Sequence, residues 1–544
     1  MSSPADAPSD VTPAVPVPTR EETEQALLSR LLGPAALRLG ATRASRVRGW
    51  LWQLAVTLLA GVLRFANLGR PQKLVFDETY YVKQAYTLLR VGYETRWPDD
   101  PNGAFETGHL NGYLSSPDFF VHPQVGKWLI ALGMRLGGPE NAASWRLGAA
   151  VFGTLAVLLL ARIARRLFSS TLMGTTAGLL LAIDGEALVQ ARVGLLDSFL
   201  MFFALAAFGA LLLDRDQARR RLAHRAALRL GRHGSLGGWG PGVGVRWWRI
   251  AAGVLLGLAI GTKWSGLYFL AVFAVMSVLW DLSARRTLGT RRWALAGTVR
   301  DGVPAFFSMV PVALATYLGS WFSWFTHRAS YDRLWAEQNP GEGVLWLPAP
   351  LRSLWRFHQD MWVFHTHLET SHAYAASPLG WIVQWRPTSF YWDAPAPPQQ
   401  ACGASSCAAA ITSIGNPIIW WAAAIALLWV VGRLITRRDW RAAAVLSGLA
   451  AGWLPWFAYT HRTIFTFYSV VFTPWVVLTL TYALAHLVDD DDEGAVRLRR
   501  PRAWVAIGVV GLSVAVAAFF YPIWTAQTTS YDFWRFHMWL PSWI

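Results

Sequence analysis

Apolar residues gather into eleven runs, near 50–68, 145–163, 172–190, 195–213, 250–264, 266–282, 303–325, 415–432, 443–460, 466–487 and 503–522. A helix of about 20 predominantly apolar residues crosses the hydrocarbon core of a bilayer. The pattern therefore predicts an all-α polytopic membrane protein with about eleven transmembrane helices. Lys263 splits the apolar stretch 250–282 and His461-Arg462 splits 443–487, and both breaks read as tight hairpins between spans.

Arginine fixes the expected orientation. Arg43, Arg46 and Arg48 precede the first span, which places the N-terminus in the cytoplasm. Counting from there, the inner loops are 162–170, 214–249, 283–302, 433–442 and 488–502. Each carries a cluster, such as Arg162, Arg165 and Arg166, or Arg497, Arg499, Arg500 and Arg502. The C-terminal tail (YDFWRFHMWLPSWI), with its interfacial Trp and Tyr, is then outside.

Residues 1–22, rich in Pro, Ala, Ser and Asp, read as disordered, and 23–44 as a short surface helix; no signal-peptide pattern is present. Residues 1–44 thus form a cytoplasmic extension and 45–544 one membrane domain. Two long outer segments interrupt that domain, 69–144 and 326–414, and 503–544 holds the last span and outer tail. The first segment predicts amphipathic helices around 78–90 and 122–136, lying on the membrane.

Composition agrees: 54% of residues are hydrophobic, only 15% are charged, and 32 are Trp. A soluble domain carries about a quarter charged residues. The net charge of +16 resides in the inner loops, with no basic face on a soluble module, which excludes nucleic acid as a partner.

Charged side chains at the outer ends of spans are the candidate chemistry. Asp77 and Glu78 follow the first span; adjacent on a helix, they would diverge by about 100°. Asp77 also suits a helix N-cap before ETYYVKQAYTLLR. Arg146 opens the second span, Arg192 ends the third and Asp197 opens the fourth. Each alone could be a snorkelling end residue, but together they bring charge to one face. Lys263, in GTKWSGL, and Arg462 are outer-end cations suited to phosphate. His122 begins HPQVGKWLIALG, whose Lys127 and Trp128 also suit an interfacial anchor. His358, His365, His367 and His372 lie in the second outer segment without a metal-binding pattern, and read as hydrogen-bonding or acceptor-contact groups. Cys402 and Cys407, with four residues between them on the oxidising side, predict a local disulfide that staples the loop.

The pieces FDETYYV (76–82), HPQVGKW (122–128), WRL (145–147), RVGLLDSFLMF (192–202), TKWSGL (262–267), GNPIIWW (415–421) and HRTIFTFY (461–468), in this order, resemble the bacterial branch of the protein O-mannosyltransferase family. The resemblance covers nearly the whole chain after residue 45. It implies a GT-C glycosyltransferase that moves mannose from polyprenyl-phosphate mannose to Ser or Thr hydroxyls of polypeptides, with inversion, at the outer face of the plasma membrane. It implies no cofactor and no metal. Asp77 matches the family's catalytic acidic residue and Glu78 its essential partner. Arg146, Lys263 and Arg462 match positions for donor phosphate or site architecture; Asp197, His122 and Arg192 would support the site. Acceptors met during secretion imply contact with protein-translocation machinery and with membrane lipid. One departure stands out: residues 326–414 are too short for the β-trefoil domain of eukaryotic members. A GT-C enzyme with a cell-wall glycan or lipid acceptor, and a transporter for lipid-linked sugar, are the competing readings.

Overall fold

The computed structural model describes residues 19–99, 101–395, 402–488 and 501–544. Most of the expected N-terminal tail, the acidic run Asp489–Asp492 and all but the end of the last basic loop lie outside the described residues. Among the described residues, eight helices are long and apolar enough to cross a membrane: Ala142–Phe168, Asp197–His233, Gly266–Leu288, Trp293–Ser320, Pro417–Arg437, Trp440–Tyr459, Thr466–Leu487 and Pro501–Trp524. Three more of the expected runs are helical but fall short of that measure. Thr171–Ala182 and Trp247–Ile260 are brief, and Arg43–Phe65 mixes Arg and Gln into its apolar face. The count of eleven spans is therefore not confirmed, although every one of the runs lies on helix.

The helix Asp197–His233 has 37 residues, about 55 Å at 1.5 Å per residue, and continues well past its apolar half. Its far end is not the loop that its arginines suggest. Ala218, Leu222, Ala223 and Ala226 form an apolar seam that accepts Leu27 and Leu31 of the helix Arg20–Leu32. The expected surface helix near 23–44 is thus a docked one, starting earlier, with Thr19 and Glu22 in a reciprocal capping box. Beside this seam, four charges close a buried ring. Arg246 spans Asp214 and Asp281, and Arg249 spans the same two carboxylates from the other side. Arg219 and Arg285, in the inner loops of the predicted topology, are likewise ties between elements: Arg219 donates to the carbonyls of Leu31 and Trp280, and Arg285 pairs with Asp301.

At the opposite end, Glu78–Val91 and Val125–Gly137 form the two amphipathic helices of the first long segment. The second long segment supplies the helix Ala349–Thr366 and two strands, Thr388–Asp393 and Cys407–Ser413. A third strand, Thr528–Ser530, follows the last long helix and completes a small antiparallel sheet in chain order. The otherwise helical protein therefore carries strands that the apolar periodicity did not predict. The predicted disulfide joins Cys402 and Cys407 at the entry of the middle strand. The C-terminal residues fold back: Arg386 donates to the Ser542 carbonyl (2.7 Å), and the Trp543 indole donates to the Gln384 carbonyl (2.9 Å). Arg70 donates to Thr528 at 2.7 Å, so both long segments and the tail share one face of the bundle.

Candidate active site

Asp77 and Glu78 part company where their helix begins. Phe76, just before them, holds a left-handed backbone at φ +50°, unusual for a residue with a bulky side chain. Its ring stacks on Phe390 at 4.7 Å and meets Phe467 edge-on at 5.4 Å, which holds that turn in place. Asp77 occupies the N-cap position, but its side chain makes no capping bond. Its carboxylate faces a cavity of about 810 Å³ instead. Asp77, Tyr81 and Gln84 follow the i, i+4, i+7 spacing of one helix face, and all three line that cavity.

Glu78 turns away. The Arg146 guanidinium grips it with Nε and Nη2, both at 2.8 Å, and the amides of Val75 (2.9 Å) and Gly194 (2.6 Å) complete its shell. The remaining Arg146 donors go to the carbonyls of Leu68, Pro71 and Lys73. This fully buried pair ties the turn before Asp77 to the second span. The two residues lie behind the cavity wall. The contacts of Arg146 are all with Glu78 and nearby backbone carbonyls, an arrangement that suits the architectural alternative. Arg192 is likewise absent from the cavity lining: it donates to the carbonyls of Leu63, Arg64, Ala66 and Asn67 and so closes the C-terminal end of helix Arg43–Phe65.

Lys263 does reach the cavity, on a turn between Trp247–Ile260 and Gly266–Leu288. A Cβ on Gly266 would sit 2.7 Å from the Ile260 amide nitrogen, so only glycine permits this turn. Lys263 is not the lone cation that its apolar surroundings suggest. Its ammonium contacts both oxygens of Asp197, at 2.8 and 3.0 Å, across a separation of 66 residues. Arg462 lines the same cavity. It spends one Nη1 donor on the His365 carbonyl (2.8 Å), while its Nε has no partner.

Burial pushes the Asp77 carboxyl up to about 6; nearby Lys263 pulls it down and Asp197 pushes it further up. His122 and His365 also line the cavity, their rings stacked 5.0 Å apart. Burial, reinforced by Lys263 and Arg462, pushes His122 well below the usual imidazole range. Burial brings His365 down to about 4, so both rings are neutral near pH 7. The site thus combines three carboxylates, of which Asp77 is raised by burial, with two cations and two neutral imidazoles. Among the described residues, no group of three or more His, Cys, Asp and Glu is placed to hold a metal ion.

Sequence reasoning missed the aromatic wall of the cavity, including Tyr81, Trp264 and Tyr468, and a third carboxylate, Asp118, beside those of Asp77 and Asp197. The spacing of Tyr81 and Gln84 from Asp77 was the available signal. Lys127 was read as an interfacial anchor, yet it is fully buried and contacts Glu94 at 2.8 Å.

The sequence profile of the dolichyl-phosphate-mannose-protein mannosyltransferase family matches residues 121–226. That of the C-terminal four TMM region of protein-O-mannosyltransferase matches residues 350–543. The polyprenol-phosphate-mannose–protein mannosyltransferase of Mycobacterium tuberculosis is 40% identical over 511 residues, covering 92% of either chain. The enzyme of that name from Corynebacterium glutamicum is 32% identical over 544 residues, covering 97% of this chain and 99% of the relative. Among solved structures, the Saccharomyces cerevisiae protein O-mannosyltransferase Pmt1–Pmt2 complex bound to the sugar donor has the same fold. Its TM-score is 0.67 at 14% identity, over 96% of this chain and 94% of the yeast chain.

Proposed function

The chain belongs to the polyprenol-phosphate-mannose–protein mannosyltransferase family, and from that membership we propose that it transfers mannose from polyprenyl-phosphate mannose to Ser and Thr hydroxyls of polypeptides. The observation that carries the mechanism is the meeting of Asp77 with two cations, Lys263 and Arg462, around one cavity. On this reading Asp77 takes the proton of the acceptor hydroxyl. The hydroxyl oxygen bonds to the anomeric carbon as the bond from that carbon to the phosphate oxygen breaks, with inversion. The electron pair leaves with the polyprenyl phosphate.

A carboxyl near 6 is ionised at pH 7, yet more basic than an ordinary aspartate, which suits a general base. Its lack of a hydrogen-bond donor among the described residues leaves the carboxylate available to the acceptor. Arg462 and the Lys263–Asp197 pair stabilise the charge that develops on the leaving phosphate. No divalent metal enters this scheme, so transfer is expected to survive chelation by EDTA.

The arginine clusters support an outward-facing cavity in the plasma membrane, with a cytoplasmic N-terminus and outer C-terminus. Acceptors then arrive on the outer face, where contact with translocation machinery would present them; crosslinking during secretion tests that contact. The activity is tested in membranes with radiolabelled polyprenyl-phosphate mannose and a Ser/Thr-rich peptide. Label on the peptide with wild type, and none with Asp77→Asn, supports the reading. Label on a glycan or lipid instead would overturn the acceptor class.

A further inference from the structure

The cavity holds two kinds of polar group, and the charged kind accounts for only part of a lipid-linked sugar. A phosphate needs cations. A sugar offers neutral hydroxyls, each able to donate and to accept, and a neutral imidazole likewise donates from one nitrogen and accepts at the other. His122 and His365 are such groups.

The hydrogen bonds around them set their tautomers. His365 Nε2 lies 2.7 Å from the Val121 carbonyl oxygen. A carbonyl only accepts, so Nε2 carries the proton and Nδ1 of this neutral ring is an acceptor. In His122, Nδ1 is buried without any partner. An orphaned N–H costs more than an orphaned lone pair, which places the proton on Nε2. The stacked rings therefore present one donor and one acceptor side by side. Trp264 flanks His365 at 5.9 Å, and Tyr81 flanks His122 at 6.0 Å, so aromatic surface borders the pair. Arg462 fixes the His365 backbone from the phosphate side.

We propose that His122 and His365 read the hydroxyls of the donor's sugar, and so distinguish the loaded lipid from the sugar-free polyprenyl phosphate left after transfer. This rests on the mannosyl-transfer reading above. It gives the pair a role in exchange: product that lacks the sugar loses these contacts and is released in favour of fresh donor.

The test compares KM for polyprenyl-phosphate mannose with the inhibition constant of sugar-free polyprenyl phosphate, for His122→Ala, His122→Phe and His365→Ala in detergent-solubilised full-length protein. Loss of a neutral hydrogen bond corresponds to roughly a tenfold change. The expected result is a donor KM raised about tenfold in all three variants, with inhibition by the sugar-free lipid changed less than about twofold. Retained binding of that inhibitor also shows that the variants are folded. Phe keeps the aromatic stack but has no ring nitrogen, so recovery of wild-type KM in His122→Phe would overturn the proposal in favour of packing. A parallel rise of KM and inhibition constant would overturn it as well. Peptide labelling by wild type in the same assay separates the two levels: its absence defeats the mannosyl-transfer reading and this inference with it. Labelling with unchanged donor selectivity in the variants defeats this inference alone.

Discussion

Lys263 and Asp197 meet at 2.8 Å on the wall of the cavity that Asp77 faces, so the cation acting on Asp77 is already paired with a carboxylate. The pairing tempers the effect of burial on Asp77. Asp197 raises the Asp77 carboxyl and Lys263 lowers it, against a larger rise from burial. A free lysine in this place would leave Asp77 a weaker base. A pair leaves it near the working pH.

The pH dependence follows from that balance. With Asp77 as the proposed base, kcat/KM should fall about tenfold per unit once pH drops below about 6, and level off above it. Asp197→Asn removes a charge that raises the carboxyl and frees Lys263 to lower it. The acid limb of the profile should therefore move to lower pH in that variant. An unchanged limb would mean that another group is titrating.

Neighbouring acids should fail in different ways. Asp77→Asn is expected to cost about 10²–10⁴-fold in kcat, the usual contribution of a positioned base, with little change in thermal unfolding. Glu78→Gln instead breaks a buried, bidentate pair with Arg146, and such losses run to about 3–5 kcal/mol. Its signature is a lowered unfolding temperature and poor recovery from membranes. Thermal unfolding of both purified variants separates base from strut.

These two acids also show how far the sequence can be read. Adjacency after the first span marked both as important and predicted their divergence, because side-chain direction on a helix is local geometry. The roles of Arg146 and Arg192 were not legible in this way. A snorkelling arginine, a phosphate ligand and a strut to backbone carbonyls all look like one cation at a helix end. Only the distant partners, Glu78 for one and the carbonyls of residues 63–67 for the other, decide between them. Lys263 misled for the same reason, since Asp197 lies 66 residues away. The strand Cys407–Ser413 is buried along its whole length, and so lacks the alternation that announces a half-exposed strand.

Arg192 offers a check on that distinction. Arg192→Ala removes donors from four carbonyls at the end of the first span, leaving buried acceptors unpaired. The protein should unfold at lower temperature while the donor KM of the folded fraction stays within about twofold. A donor KM raised tenfold or more would return Arg192 to the substrate site.

The ring of Asp214, Arg246, Asp281 and Arg249 allows the sharpest test of a purely structural role, because it lies at the end of the bundle away from the cavity-lining turn of Lys263. Each carboxylate is shared by both guanidinium groups. Arg249→Met therefore strips one contact from each acid and leaves two buried negative charges facing a single Arg246. The uncompensated charge should destabilise by about 3–5 kcal/mol. Adding Asp281→Leu restores one-to-one pairing between Asp214 and Arg246, so the double variant should be more stable than Arg249→Met alone. Thermal unfolding of the two variants reads the difference, and peptide mannosylation per folded molecule should be equal in both. If the double variant were the less stable, the second carboxylate would be serving a partner other than the ring.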